Sequence, residues 1–363
     1  MGRMSVRGLV VVGCCLVALV GLPAPMASAA APIDRSADVE TIARTGELLQ
    51  QRLGAHFAGY WLDDATGHLT VGVTDIRQAA LARALGANAR VVSRNSAALD
   101  GAMARLEARA ANVPASVTGW YVDVTTNSVV VSALGSDPAA AAFAAAGGDG
   151  VRIEQVAEAP VLYWSIIGGQ AITVSGARCS AGFNVRSPAG VRYVITAGHC
   201  TNLGTNWNGT GGVIGTRSGT SFPGNDYGII RVTSSAALST ALVDRYGILS
   251  DVTVAGSTAA AVGARVCRSG STTGWRCGSV QSKNQTVNYG GGNIVSGLTR
   301  TSACAEGGDS GGAFVTQPVL LSTKVQAQGL TSGGSGNCLL GGTTYFQPVA
   351  EVLGVYGVTL YTG

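Results

Sequence analysis

Residues 304–314 read C-A-E-G-G-D-S-G-G-A-F, a serine and an aspartate set among four glycines directly after a cysteine. Two readings of this stretch lead to different folds. In one, Ser310 is a nucleophile exposed on a glycine-rich turn; in the other, it is one more serine in a surface loop. The chain has 53 glycines, so a loop needs no special explanation. A serine hydroxyl is a weak nucleophile at neutral pH and requires a base, and that base requires an orienting partner. The stretch therefore acquires chemistry only if the rest of the sequence supplies both.

Residues 166–363 contain one histidine, His199, in Y-V-I-T-A-G-H-C-T. An apolar strand runs into Ala-Gly-His-Cys, which sets the imidazole at a strand end. The six acids of this region are Asp226, Asp244, Asp251, Glu306, Asp309 and Glu351. An orienting carboxylate must be buried beside the imidazole, and Asp226 in N-D-Y-G-I-I-R directly precedes an apolar strand. Asp309 adjoins the serine and does not reach the far side of the histidine. Asp244 and Asp251 read as turn residues. The chain order is thus His199, Asp226, Ser310.

G-D-S-G-G also satisfies the G-x-S-x-G elbow of α/β-hydrolases, whose triads run serine, acid, histidine and whose serine opens a helix. Ser310 opens no helical pattern and no histidine follows it at all, so the elbow reading fails. Short runs such as Tyr193–Thr196, Gly228–Val232, Val252–Ala255 and Gln326–Leu330 alternate with turn signals, and one amphipathic helix is expected over Val349–Tyr356. This is the pattern of an all-β sandwich or barrel pair.

Composition bounds the rest. Of 363 residues, 46% are hydrophobic and 12% charged, which excludes a disordered chain. The formal charge of +4 contains no basic run, so no nucleic-acid partner is implied. Residues 1–29 read as a secretory signal: Arg3 and Arg7, an apolar stretch Gly8–Leu22, then Ala27-Ser28-Ala29. No segment is long enough for a membrane anchor. Six of the eight cysteines remain after the signal: Cys179, Cys200, Cys267, Cys277, Cys304 and Cys338. An even set in an exported chain reads as three disulfides, with 15 possible pairings. A zinc site is disfavoured by the single histidine and the lack of a C-x-x-C pair, so no metal and no cofactor are expected.

Residues 30–165 differ in kind. They hold no cysteine and include the alanine-rich run Ala139–Ala146. Residues 33–165 carry 14 acidic and 10 basic side chains, against 6 and 12 in residues 166–363. The two regions are oppositely charged, which favours their association. Residues 59–71 (G-Y-W-L-D-D-A-T-G-H-L-T-V) and 119–131 (G-W-Y-V-D-V-T-T-N-S-V-V-V) repeat one hairpin signature. Residues 78–111 have helical composition, with Leu81, Leu85, Leu99, Met103 and Leu106 at helical spacing. Two similar α+β units are expected. His56 and His68 are assigned no chemistry.

T-A-G-H-C, N-D-Y-G-I-I, C-A-E-G-G-D-S-G-G and G-L-T-S-G-G-S-G-N-C together resemble the streptogrisin group of secreted bacterial serine endopeptidases, relatives of the α-lytic endopeptidase. The resemblance covers residues 166–363, and residues 30–165 are similar to the group's pro-regions. It implies two six-stranded antiparallel β-barrels of the chymotrypsin-like fold behind an α+β pro-region. It further implies His199 as general base, Asp226 as its orienter and Ser310 as nucleophile, with the N–H groups of Gly308 and Ser310 as oxyanion hole. Ser332, Gly333 and Gly334 would pair with substrate, Arg268 would neutralise a buried Asp309, and the disulfides would be Cys179–Cys200, Cys267–Cys277 and Cys304–Cys338.

The resemblance also implies that Thr331 stands where a glutamyl-specific relative would carry a histidine and that Glu306 falls at the pocket rim, so large apolar residues are the expected targets. The alternatives are a glutamyl-specific relative, an esterase, or an inactive binding module of the same fold. The expected partners are polypeptide substrates and the chain's own pro-region as foldase and inhibitor. The mature form is expected to be an extracellular monomer beginning near Ile166.

Overall fold

The computed structural model describes residues 35–63, 67–319 and 322–363. The signal expected over residues 1–29 lies outside them. The chain divides into two units after Pro160.

The first unit repeats one α-β-β-α-β arrangement. Its first copy is α1 (Arg35–Leu53), β1 (Phe57–Leu62), β2 (Leu69–Val73), α2 (Ala79–Ala84) and β3 (Asn88–Val91). The second is α3 (Ser96–Glu107), β4 (Val117–Asp123), β5 (Ser128–Leu134), α4 (Pro138–Ala146) and β6 (Val151–Val156). In both, an antiparallel hairpin receives a third strand parallel to its second. A parallel neighbour requires a crossover, which α2 and α4 provide. The helical expectation for residues 78–111 is corrected here, because β3 interrupts it. Gly86, at φ +84°, ends α2, and β-branched Val91 and Val92 suit an extended chain. Helices α3 and α4 start on the side chains of Asn95 and Asp137, which accept from the N–H groups of Ala98 and Ala139 at 2.9 Å. Leu99, Leu106, Val129, Val131 and Phe143 fill one core; Leu49, Leu53, Phe57 and Val71 fill the other.

The second unit is built almost wholly of strands. Its first half contains β7 (Trp164–Gly168), β8 (Ala171–Val174), β9 (Ala177–Ser180), β10 (Phe183–Arg186) and β11 (Arg192–Thr196). A single helical turn, α5 (Gly198–Thr201), leads to β12 (Asn206–Gly209), β13 (Gly212–Ser221) and β14 (Tyr227–Val232). Then come β15 (Ala237–Val243), β16 (Val252–Gly256), β17 (Arg265–Gly270), β18 (Gly274–Asn288) and β19 (Ile294–Thr301). The end of the chain supplies β20 (Ala313–Thr316), β21 (Lys324–Asn337), β22 (Gly341–Pro348), α6 (Val349–Tyr356) and β23 (Thr359–Leu360).

One eight-stranded sheet has the order β23-β10-β11-β14-β13-β12-β8-β9. A nine-stranded sheet runs β20-β17-β18-β19-β22-β21-β16-β15-β7, and a further β20–β21 pairing closes six of its strands into a ring. Pairing is antiparallel except for β7 with β15 and β16 with β21. Ile172, Val194, Trp207, Ile214 and Ile230 pack the first half; Val185, Ile195, Val254, Val315 and Leu330 belong to the largest core. Helix α6 stops at Gly357, whose φ of +59° no β-branched residue would adopt readily. Disulfides join Cys179 to Cys200, Cys267 to Cys277 and Cys304 to Cys338.

Candidate active site

His199 lies on α5, one turn beyond the buried end of β11. The chain reaches it through Gly198, where a Cβ would stand 2.3 Å from the Ser221 carbonyl oxygen and 2.9 Å from that of Tyr227. Only glycine permits this approach. Asp226 directly precedes β14 and is fully buried. Its carboxylate accepts from the His199 backbone N–H at 2.9 Å, from His199 Nδ1 at 2.9 Å and from Ser332 Oγ at 2.5 Å. A buried carboxylate is tolerated only when its oxygens are so occupied. An ionised carboxylate accepts and does not donate, so it places the imidazole proton on Nδ1; Nε2 then keeps its lone pair, since its neighbour at 3.7 Å, the disulfide-bonded Cys200 Sγ, has no hydrogen to donate. The Phe222 ring meets the imidazole edge-on at 5.7 Å between centroids.

Ser310 comes from the other sheet, on the turn before β20. Gly311, at φ +78°, makes the closest approach there: a Cβ would lie 1.9 Å from Thr196 Oγ1 and 2.8 Å from the Ala197 nitrogen. That contact brings Ser310 to the segment carrying His199. The Ser310 carbonyl accepts from Ser180 N–H at 2.8 Å. Among the described residues Ser310 Oγ makes no hydrogen bond, to His199 or to any other group. Such bonds are often long before substrate tightens them.

Gly308 has φ +95°, and its carbonyl is turned away to accept from Ser180 Oγ at 2.8 Å and Ser271 Oγ at 3.2 Å. The N–H groups of Gly308 and Ser310 donate to no acceptor among the described residues.

Asp309 and Arg268 are both fully buried, with Arg268 Nη1 3.2 Å from Asp309 Oδ1. Asp309 also accepts from the N–H groups of Thr272, Thr273 and Glu306 at 2.9–3.1 Å and from Thr273 Oγ1 at 2.7 Å. Burial opposes its ionisation, but the Arg268 charge and these donors outweigh it and hold the carboxyl below its ordinary range. Arg268 Nε donates to the Cys304 carbonyl at 2.9 Å and Nη2 to Thr273 Oγ1. Burial pulls the guanidinium down from its ordinary value, and Asp309 opposes the shift. The pair thus pins the turn that carries Gly308 and Ser310.

Beside Ser310 a hollow of about 280 Å³ is lined by Thr331, Gly333, Gly334, Gly336, Ala305 and Glu306, among others. Thr331 Oγ1 is committed to the Gly312 carbonyl at 3.0 Å. Glu306 is exposed, and its Oε1 accepts from Cys338 N–H at 2.9 Å, at the mouth beside the Cys304–Cys338 bridge. Ser332, Gly333 and Gly334 follow the point where β20 leaves β21, so β22 is the neighbour on one edge and the other edge has no ladder partner among the described residues.

Two residues in this network carry no sequence signal. Tyr289 OH lies 3.0 Å from Ser332 Oγ; burial pushes its phenol up to about 12. Gln347 is fully buried, and its Oε1 accepts from Asp226 N–H at 2.9 Å while Nε2 donates to Glu351 at 2.8 Å. Each is a lone polar residue far along the chain from its partner.

Among the described residues no cluster of three or more His, Cys, Asp or Glu side chains is placed to hold a metal, and no helix is long and apolar enough to cross a membrane.

Three family models match the chain: trypsin over residues 166–355, alpha-lytic protease pro N-terminal over residues 28–92 and alpha-lytic protease prodomain over residues 94–150. Streptogrisin-C from Streptomyces griseus is 45% identical over 319 residues, covering 86% of this chain and 67% of that protein. Serine protease 1 from Streptomyces fradiae is 42% identical over 348 residues, covering 94% of this chain and 92% of its own. The crystal structure of a Nocardiopsis protease superposes with a TM-score of 0.50 at 48% identity, over 55% of this chain and all of that one.

Proposed function

The chain belongs to the streptogrisin-type serine proteases of the trypsin-like fold, and we propose that within it His199, Asp226 and Ser310 carry out peptide-bond hydrolysis. Nε2 of His199 takes the Ser310 proton as Oγ attacks the scissile carbonyl carbon. The developing oxyanion is received by the free N–H groups of Gly308 and Ser310, and each such donor is typically worth about 10²–10³ in turnover. His199 then hands its proton to the leaving amine, and a water repeats the sequence on the acyl-enzyme. Asp226 fixes the imidazole tautomer and stabilises the imidazolium. Arg268 and Asp309 hold the oxyanion turn in shape. Ser332, Gly333 and Gly334 offer their open edge to the substrate backbone as an added strand.

The observation that carries this reading is the grip of a fully buried carboxylate on both the backbone N–H and Nδ1 of His199, opposite two unoccupied N–H donors. The glycine-walled hollow, with Thr331 tied to the backbone and Glu306 held at the mouth, favours large apolar side chains before the cut bond. The experiment has two parts. An organophosphorus fluoridate should label Ser310 alone, and a peptide library should be cut after Phe, Tyr, Leu or Met. A profile dominated by Glu, Lys or Arg overturns the specificity; absence of labelling overturns the nucleophile.

Three disulfides confined to residues 166–363 support export of the enzyme. Residues 30–165 act as its pro-region, first assisting folding and then inhibiting the enzyme they helped to form. The unit's own duplicated fold and its matches to the alpha-lytic protease pro-region models support that role. The first maturation cut falls after Leu162 or Tyr163, which are 94% and 70% exposed, whereas Ile166 is buried inside β7. Proteolysis favours exposed segments over paired strands.

A further inference from the structure

We infer that Arg178 forms a subsite for an acidic side chain on the leaving-group side of the cut bond, an inference that rests on the assignment of Ser310 and Gly308 as the reacting centre. That centre has two flanks. On one lie the hollow and the open edge of β21, which take the acyl part of the substrate. On the other lies β9, whose Ser180 donates through its N–H to the Ser310 carbonyl and through Oγ to the Gly308 carbonyl, both at 2.8 Å. A peptide extended across Ser310 from the β21 flank therefore continues toward β9.

Arg178 is two residues before Ser180 on that strand, so both side chains stand on the same face. Its Nη2 donates to Thr272 Oγ1 at 3.0 Å and its Nη1 to the Ser271 carbonyl at 3.4 Å. Thr272 Oγ1 in turn donates to the Gly307 carbonyl at 2.7 Å, which ties the guanidinium to the oxyanion turn. Nη2 lies 3.1 Å from the point where a Cβ on Gly308 would stand. An extended peptide advances about 3.3 Å per residue. The guanidinium is thus within reach of the first or second side chain beyond the scissile carbonyl.

The charge is available. Arg178 is exposed and forms no ion pair among the described residues. The acids nearest the turn are otherwise engaged: Asp309 is closed into its pair with Arg268, and Glu306 is bonded to Cys338 N–H on the opposite flank. A guanidinium has five N–H donors, and two bonds leave others for a carboxylate.

The test uses the mature enzyme recovered from expression of the full chain, with internally quenched, C-terminally amidated peptides. Each has Phe before the cut bond and Asp, Asn or Lys at the first or second position after it. At low ionic strength the Asp peptide should exceed the Lys peptide about tenfold in kcat/KM at one of these positions, the scale of one exposed attraction exchanged for one repulsion. About 1 M salt, with a Debye length of about 3 Å, should compress the ratio to within about twofold. R178A should abolish the preference and R178E reverse it, each read as the Asp-to-Lys ratio within one variant, so that a change in overall rate does not enter.

Equal rates for Asp and Lys at both positions in the wild type would overturn the subsite while leaving the protease intact. A preference that survives in R178A, or one that ignores salt, overturns it as well. If R178E fails to fold, the salt dependence of the wild-type ratio decides. Failure to cut any of the peptides would count against the catalytic assignment instead.

Discussion

In residues 35–160 every sheet joins strands that follow one another along the chain, β1-β2-β3 and then β4-β5-β6. In residues 161–363, β7 lies beside β15, β16 beside β21, and Ser332 reaches Asp226 across 106 residues. Residues 35–160 contain no cysteine and include a partly exposed ion pair, Arg94 with Asp149. The second has three disulfides and an ion pair fully closed to solvent. Local contacts form quickly, whereas distant pairings wait on loop closure before they stabilise anything. The first unit is joined by neighbours along the chain, and the second by strands and side chains that are far apart in sequence.

Ways to break this contrast differ widely in size. The largest concerns chemistry confined to the second unit. Ser310→Ala or His199→Ala should each lower kcat by about 10⁶, and the double variant should be little worse, since residues acting as one unit are non-additive. Both proteins should stay as uncut precursor on a gel, with the first unit's melting unchanged. Additive losses would count against the triad.

Next is folding. Refolding residues 166–363 from denaturant should recover about tenfold more activity when residues 30–165 are added in trans, because the slow step is long-range pairing. The same addition to native enzyme should inhibit it. Equal recovery in both tubes would remove the folding role.

The ion pairs give a smaller and sharper comparison. Arg268→Ala leaves a buried carboxylate unpaired and should destabilise the second unit by about 3–5 kcal/mol. Asp149→Asn should scarcely move the first unit's melting, because the Asp149 side chain is 91% exposed. Calorimetry of the Ser310→Ala precursor, in which both units are present, reads the two effects side by side.

The smallest effect is in acid. Asp309 titrates below its unfolded value of 3.8. A depressed carboxyl contributes stability that is fully present above the unfolded value and is lost as pH falls through the lower folded one. The second unit should therefore lose melting temperature below about pH 4, and Asp309→Asn should flatten that part of the curve.

Much of this was readable beforehand where a residue's role is written next to it. The α6 span Val349–Tyr356 follows from a run of apolar spacing, and His199, Asp226 and Ser310 each sit in a local pattern of strand, glycine and turn. Gln347 has no such pattern; it matters only because folding brings it under Asp226, 121 residues away. Tyr289 is equally mute until Ser332 is beside it. Strand β3 was hidden inside residues 78–111, where alanine and leucine outweighed the short Val91–Val92 signal and tertiary pairing with β2 decided the matter. The alternating charges of β6 gave no hint that it would pair parallel to β5. Helix α1 presents Leu49 and Leu53 to its core from a largely polar segment, and no reading of its period anticipated it.

The glycine contact at residue 311 has one more consequence. His199 and Asp226 hang from one sheet and Ser310 and Ser332 from the other, and their meeting depends on Gly311 lying where any larger residue would collide with Thr196. Reactivity is therefore the output of a two-input gate. A nascent chain that ends before Ser310 is chemically silent however well its first sheet has formed. A finished chain whose sheets slipped apart by about an ångström would lose about 10²-fold in rate while each sheet kept its own hydrogen bonds.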